Sequence, residues 1–137
     1  MGLEKQRTQA ILWLGQAEDD LAAARALESA GRYAQACFMC QQAGEKALKA
    51  VWYFFGIEPW GHSLSNLIEE IEIESVKQRL MPLKEAAASL DKLYIPTRYP
   101  NGLPNMMPRD AYFNKDSSEA VAAAIEVLET AKAACNV

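Results

Sequence analysis

Apolar residues return every three to four positions along almost the whole chain, which is the period of an α-helix. In the first segment Ala10, Trp13, Ala17, Leu21 and Ala24 form the stripe, with Glu18, Asp19 and Arg25 off it. Gly31 ends this segment, as a residue free to adopt positive φ does at a helix terminus. A second helix is predicted from about Arg32 to Phe55, where Tyr33, Cys37, Cys40, Gly44, Ala47, Val51 and Phe54 step by four and three without a slip. Ala36, Ala43 and Ala50 widen that arc well beyond the stripe of a surface helix, which makes this the central helix of the fold. Its Ala, Cys and Gly positions should let neighbouring backbones approach closely. The opposite face carries Gln41, Gln42, Glu45, Lys46 and Lys49, with Phe38 and Trp52 at its edge. Glu45 precedes Lys49 by four residues, the favourable order for a helical ion pair.

Gly56, Pro59 and Gly61 predict a turn, and a short third helix opens near Ser63 with Leu64, Leu67, Ile68 and Ile71 on its buried face. A fourth helix is expected from about Ser75 to Tyr94, with Pro82 marking a kink or a fresh first turn. The stretch IPTRYPNGLPNMMPRDAYFNK, residues 95–115, holds four prolines and reads as an ordered, irregular loop. A loop of that length is usually functional. Asp116 and Glu119 fit a capping box for the last helix, in which Ala120, Ala124, Val127 and Ala131 repeat the helical step. The predicted fold is all-α, an antiparallel up-and-down bundle of four to five helices, with residues 1–137 as one domain.

Composition narrows the function. Half the residues are hydrophobic and 23% are charged, an ordinary globular balance. No apolar run approaches the ~18 residues of a membrane span. The N-terminal MGLEKQRTQA lacks the apolar stretch of a signal peptide, so a cytoplasmic protein is expected. A net charge of −4 argues against a general nucleic-acid coat but leaves room for a small local basic site. The three cysteines are an odd count, expected to stay as thiols in the cytosol.

Two motifs are set aside. Gly56-x4-Gly61-His62-Ser63 lacks the lysine of a phosphate-binding P-loop and follows a helix instead of a strand. Cys37, Cys40, Cys135 and His62 nominally supply a zinc set, but the paired cysteines lie mid-helix among alanines, where cysteine behaves as a small hydrophobe. Neither a metal nor a cofactor is expected.

Several segments together resemble one family. WLGQAEDDLAAARAL, GRYAQACFMCQQAGEKALKAVWYFFGI, GHSL and LDKLYIPTRYPN resemble, in order and spacing, the HEPN domain (higher eukaryote and prokaryote nucleotide-binding domain) of the prokaryotic stand-alone type. The most specific pieces are the helix around Gln41, Gln42, Glu45 and Lys46 and the YIPTRYP loop. The resemblance implies a helical bundle that pairs as a homodimer with a cleft near the dimer axis. It also implies a role in nucleotide or RNA biology, beside a minimal nucleotidyltransferase in a toxin–antitoxin-like system. The family's ribonuclease branch carries an Arg followed after four to six residues by His. Here the single histidine, His62, precedes Arg79, Arg98 and Arg109, so the sequence departs from that branch and binding is expected over catalysis.

Arg98 is the first candidate residue. It stands in a proline-stiffened loop, which lowers the entropy lost on binding, and a guanidinium there can fork onto phosphate oxygens while Tyr99 stacks on a base. The competing reading has Arg98 pairing with a carboxylate to pin the loop. Thr97 and Tyr94 complete the same stretch, with Tyr94 shaping the base or sugar side. His62 would contact a phosphate or carry a proton, or else bond to backbone at the start of its helix. Lys46 and Lys49 would add positive charge, or form a solvated face. Gln42 and Glu45 extend this polar stripe, which could instead lie buried and hydrogen-bonded across a dimer axis. Phe38, Trp52, Tyr53 and Trp60 read as packing or interface groups. The leading expectation is a nucleotide- or RNA-binding module; the alternatives are a metal-independent ribonuclease using Arg98 and His62, or a pure protein-interaction module.

Overall fold

The computed structural model describes residues 2–137, and every element in them is helical. Helix α1 (Gly2–Ser29) and helix α2 (Tyr33–Phe54) form an antiparallel hairpin. The turn between them is made by Gly31 at φ +77°, which lets the Arg32 N–H reach back to the Leu27 carbonyl at 2.8 Å. Gly56, at φ +76°, ends α2 the same way, with the Ile57 N–H on the Trp52 carbonyl at 2.9 Å. Short α3 (Leu64–Glu69) follows, then α4 (Glu74–Leu80) and α5 (Lys84–Asp91), and after the long loop come the four-residue α6 (Pro108–Ala111) and α7 (Asn114–Ala134).

Contacts fix the directions. Ser117 and Ser118 at the start of α7 bond to Glu28 at the end of α1, while Lys132 near the end of α7 meets Glu18 in mid-α1 at 2.9 Å. Helix α7 therefore runs antiparallel to α1. The Arg79 guanidinium on α4 donates to the carbonyl of Ala133 at 3.0 Å, whereas Ser89 and Leu93 lie beside Asp116 and Ala120, so the α4–α5 rod runs antiparallel to α7. The result is the expected up-and-down bundle of four rods, with α3 bridging one end.

Two boundaries differ from the sequence reading. The fourth helix breaks at Pro82 as expected, in a 3-10 turn, Met81–Leu83, that separates α4 from α5, but α5 stops at Asp91, short of Tyr94. The capping box is displaced by one turn. Asp116 is the third residue inside α7 and its carboxylate accepts from the Phe113 N–H at 2.8 Å, so Asp116 acts from the inside of the helix and is not its cap. Helix α3 opens as read, with the Ser63 hydroxyl accepting from the Asn66 N–H at 3.2 Å. A residue that the sequence did not point to reinforces that start: the Asp91 carboxylate accepts from Leu64 N–H, Ser65 N–H and the Ser63 hydroxyl at 2.7, 3.1 and 3.0 Å.

Helix α2 is the centre. Ala36, Cys37, Cys40, Ala43, Ala47, Leu48, Ala50 and Val51 are buried, and α1, α3, α5 and α7 all pack against it. Burial also includes Gln41 and Glu45, residues placed on its polar face from sequence, so that face is not a solvated one. Trp52 is likewise core, and its indole N–H donates to the Leu67 carbonyl at 2.9 Å, tying α2 to α3.

Gly44 shows how tight this packing is. A Cβ added there would lie 2.7 Å from Leu64 Cδ2 and 2.9 Å from Leu90 Cδ1. Gly44→Val should lower stability by about 2–3 kcal/mol, read as a lower thermal midpoint; an unchanged midpoint would mean that both leucines swing aside freely. The buried thiols give a second expectation. Burial pushes Cys37 and Cys40 up to about 12 and Cys135 up to about 11, from an ordinary 9.0. A disulfide reagent at pH 8 should therefore titrate none of the three until denaturant is added. The unfolded chain ionises these thiols from about pH 9, whereas the folded chain holds their protons to about 11–12. Stability should accordingly fall as pH rises through that window. Rapid labelling of the native protein would contradict their burial.

Candidate functional site

The proline-rich loop folds against the N-terminal half of α2. Thr97 is buried and its hydroxyl donates to the Leu93 carbonyl, closing the first turn of the loop. The next residue is held from both ends: the Arg98 N–H donates to the Ile95 carbonyl at 3.0 Å and Arg98 Nε donates to the Tyr94 carbonyl at 2.9 Å. Thr97 is thus a pin, and its hydroxyl is already engaged.

The Arg98 guanidinium sits among three rings, 4.5 Å from the centroid of Phe38, 4.6 Å from Tyr94 and 5.0 Å from Tyr99. Ring quadrupoles hold a cation there without neutralising it. The expected alternative, a carboxylate partner, does not occur among the described residues. Arg98 does pin the loop, but through a backbone carbonyl. With Nε so bound, both terminal nitrogens keep their donors for a planar anion.

His62 extends this arrangement. Its ring stacks on Tyr94, centroids 5.1 Å apart and planes 20° apart, and its Nδ1 lies 3.3 Å from Glu45 Oε2. Glu45 is buried, and its carboxylate is shared with the amide of Gln41 at 3.0 Å and the ammonium of Lys49 at 2.9 Å. Gln41 in turn accepts from Gln42 at 2.8 Å and reaches the His62 carbonyl at 3.4 Å. A carboxylate taken out of water is tolerable only with such partners. His62 does not bond to backbone as a helix-start residue would: its carbonyl accepts from the Gln41 side chain and its ring meets Glu45, while the imidazole stays 62% exposed beside the aromatic stack.

The structure brings together five of the six residues singled out from sequence: His62, Tyr94, Arg98 and Tyr99 in the aromatic stack, and Thr97 beside Arg98. Lys46 makes its contact elsewhere, with the buried carboxylate of Asp20 at 2.6 Å, and Gln16 donates to the same carboxylate at 2.9 Å.

Beside Arg98 opens a cleft of about 450 Å³. Arg32, Gln35 and Phe38 from the start of α2, Arg98 from the loop, and Met107 and Arg109 near α6 line it. Sequence reasoning missed Arg32 and Arg109 as site residues, and it assigned Phe38 to packing or an interface. The sequence places Arg32 at the start of the second helix but gives it no role there; nothing local links Arg109 to it across 77 positions.

Comparison with known proteins agrees with this architecture. A HEPN-domain family model matches residues 10–134. A Methanocaldococcus jannaschii protein named as a candidate toxin, MJ1304, is 34% identical over 130 residues, covering 90% of this chain and 86% of that one. The crystal structure of TT1696 from Thermus thermophilus is 36% identical with a TM-score of 0.85, over 92% of this chain and 98% of that one. ST0689, described as an archaeal HEPN homologue, gives 36% identity and a TM-score of 0.76, over 93% and 98% of the two chains. The HEPN-domain protein TM0613 from Thermotoga maritima gives 30% and 0.65, over 88% and 94%. With a family match across nearly its whole length and relatives above 30% identity on the same fold, the chain belongs to the HEPN-domain family.

Proposed function

We propose that this chain is a nucleotide- or RNA-binding HEPN module that works as a homodimer, beside a minimal nucleotidyltransferase in a toxin–antitoxin-like pair. The observation that carries the binding reading is the guanidinium of Arg98, held by three rings and one carbonyl and left without a carboxylate among the described residues. A cation fixed in this way loses little entropy when an anion arrives. Tyr99, nearly half exposed, offers a ring face for a base, and His62 adds a polar edge one ring further along.

The toxin–antitoxin setting is supported by the naming of the Methanocaldococcus jannaschii relative as a candidate toxin. Pairing is supported by Ile11 and Leu12 on α1 and by Trp60, large apolar side chains more than half exposed to solvent. Binding is preferred to cleavage because general acid–base work needs a second positioned group. The one carboxylate at His62 among the described residues, that of Glu45, is already shared with Gln41 and Lys49.

The test is the thermal midpoint measured against nucleoside mono-, di- and triphosphates and a short RNA, at fixed low salt. A ligand at ~100 times its Kd should stabilise the fold by about 2.7 kcal/mol, which is roughly 8–10 °C for a domain of this size. The shift should vanish in Arg98→Ala. An equal shift in that variant, or none with any ligand in the native protein, would overturn the reading.

A further inference from the structure

We infer that the cleft between the start of α2, the loop and α6 receives the phosphate chain of a nucleoside di- or triphosphate, with Arg32, Arg98 and Arg109 as its cationic wall. This rests on the nucleotide reading above and specifies which part of the ligand is held, and by what.

Three separate elements each bring one arginine to the lining of the same cleft: Arg32 immediately precedes α2, Arg98 lies in the proline-rich loop, and Arg109 is in α6. No carboxylate lines it, and none of the three arginines has an ion-pair partner among the described residues. Lys46, Lys49 and Lys132 all find carboxylates, in a chain where acids outnumber bases by 18 to 14. The nearest acid in sequence, Asp110, lines a different depression with Asn105 and Met106. Three like charges around one space repel one another, and an anion of high charge relieves this.

The backbone supports the same occupant. Arg32 offers no side-chain cap to α2, and no acidic residue stands in that helix's first turn. Ala34 and Gln35, from the turn whose N–H groups have no helical acceptor, line the cleft beside the arginines. Donors from several directions suit a chain of phosphates, since each guanidinium can fork onto two oxygens. A volume of about 450 Å³ is that of a small-ligand pocket, and the net charge of −4 provides no extended basic track for an RNA backbone. Phe38 gives the cleft one apolar wall, on which the guanidinium of Arg98 is already seated at 4.5 Å.

The experiment is calorimetric titration of the intact protein with AMP, ADP, ATP, inorganic tripolyphosphate and a short RNA bearing a 5′-hydroxyl. Affinity should rise at least tenfold from AMP to ATP, and tripolyphosphate should compete with ATP. Arg32→Gln and Arg109→Gln should each weaken ATP binding about tenfold, with the thermal midpoint of the free protein held or slightly raised. Equal affinity for AMP and ATP, or displacement of ATP by the 5′-hydroxyl RNA as effectively as by tripolyphosphate, would overturn the inference. ATP binding that is lost in Arg98→Ala but indifferent to Arg32→Gln and Arg109→Gln would overturn the cleft and leave the nucleotide reading standing. Tripolyphosphate binding abolished by Arg32→Gln, with no nucleoside phosphate bound, would support the cleft and overturn the nucleotide reading.

Discussion

Everything in this fold leans on α2 being enclosed by its neighbours, and α2 can be enclosed because so much of its surface is small. Alanine at 36, 43, 47 and 50, cysteine at 37 and 40, and glycine at 44 bring the surrounding helices onto its backbone. Enclosure has a consequence for the polar residues on the same helix. Gln41 and Glu45 are taken out of water, so every donor and acceptor they carry must be matched within the protein. The matches are Gln42, Lys49 and both the backbone and the ring of His62, which is how the start of α3 comes to lie against the middle of α2. Packing thus places the imidazole.

The loop after α5 is ordered by a different device. Its prolines restrict the chain, Thr97 satisfies one carbonyl and Arg98 another, and the cation is then laid across Phe38 of α2. Dispersion and ring electrostatics hold the guanidinium without cancelling its charge, which a carboxylate would have done. The same contacts put Arg98 next to the N-terminal turn of α2. A long central helix, a glycine turn that leaves its first N–H groups free and a loop that returns an arginine to them together give an acidic protein a cationic cleft.

Periodicity made the long helices legible, because each buries a stripe: most of the runs through Ala10, Cys37 and Ala124 become core, with Trp13, Tyr33 and Phe54 half-buried at its margin. Gly31 and Ser63 were readable for a local reason, a positive φ and an N-cap hydroxyl. Asp116 was misplaced by one turn because Asp serves equally well as a cap or as the third helical residue reaching back. The polar face of α2 could be read from sequence as solvated or as buried across a dimer axis, because its partner within the chain, His62, arrives from a distant segment. Of the site, the YIPTRYP stretch stood out by composition, and Arg98, Tyr99, Tyr94 and His62 do converge. Arg32, Arg109 and Asp91 were invisible, since their roles exist only once segments separated by tens of residues meet.

The central claim is that the anion enters at the α2 N-terminus between Arg32, Arg98 and Arg109. The most direct measurement is a titration of the 15N-labelled protein with ADP, followed through the arginine Nε–H signals and the backbone amides. The signals of those three arginines, and the amides of Ala34 and Gln35, should move together along one saturating curve while the surroundings of Lys46 and Asp20 stay still. Movement confined to Lys46, Gln16 and the Leu12–Trp13 surface of α1, with the three arginines unchanged, would contradict it.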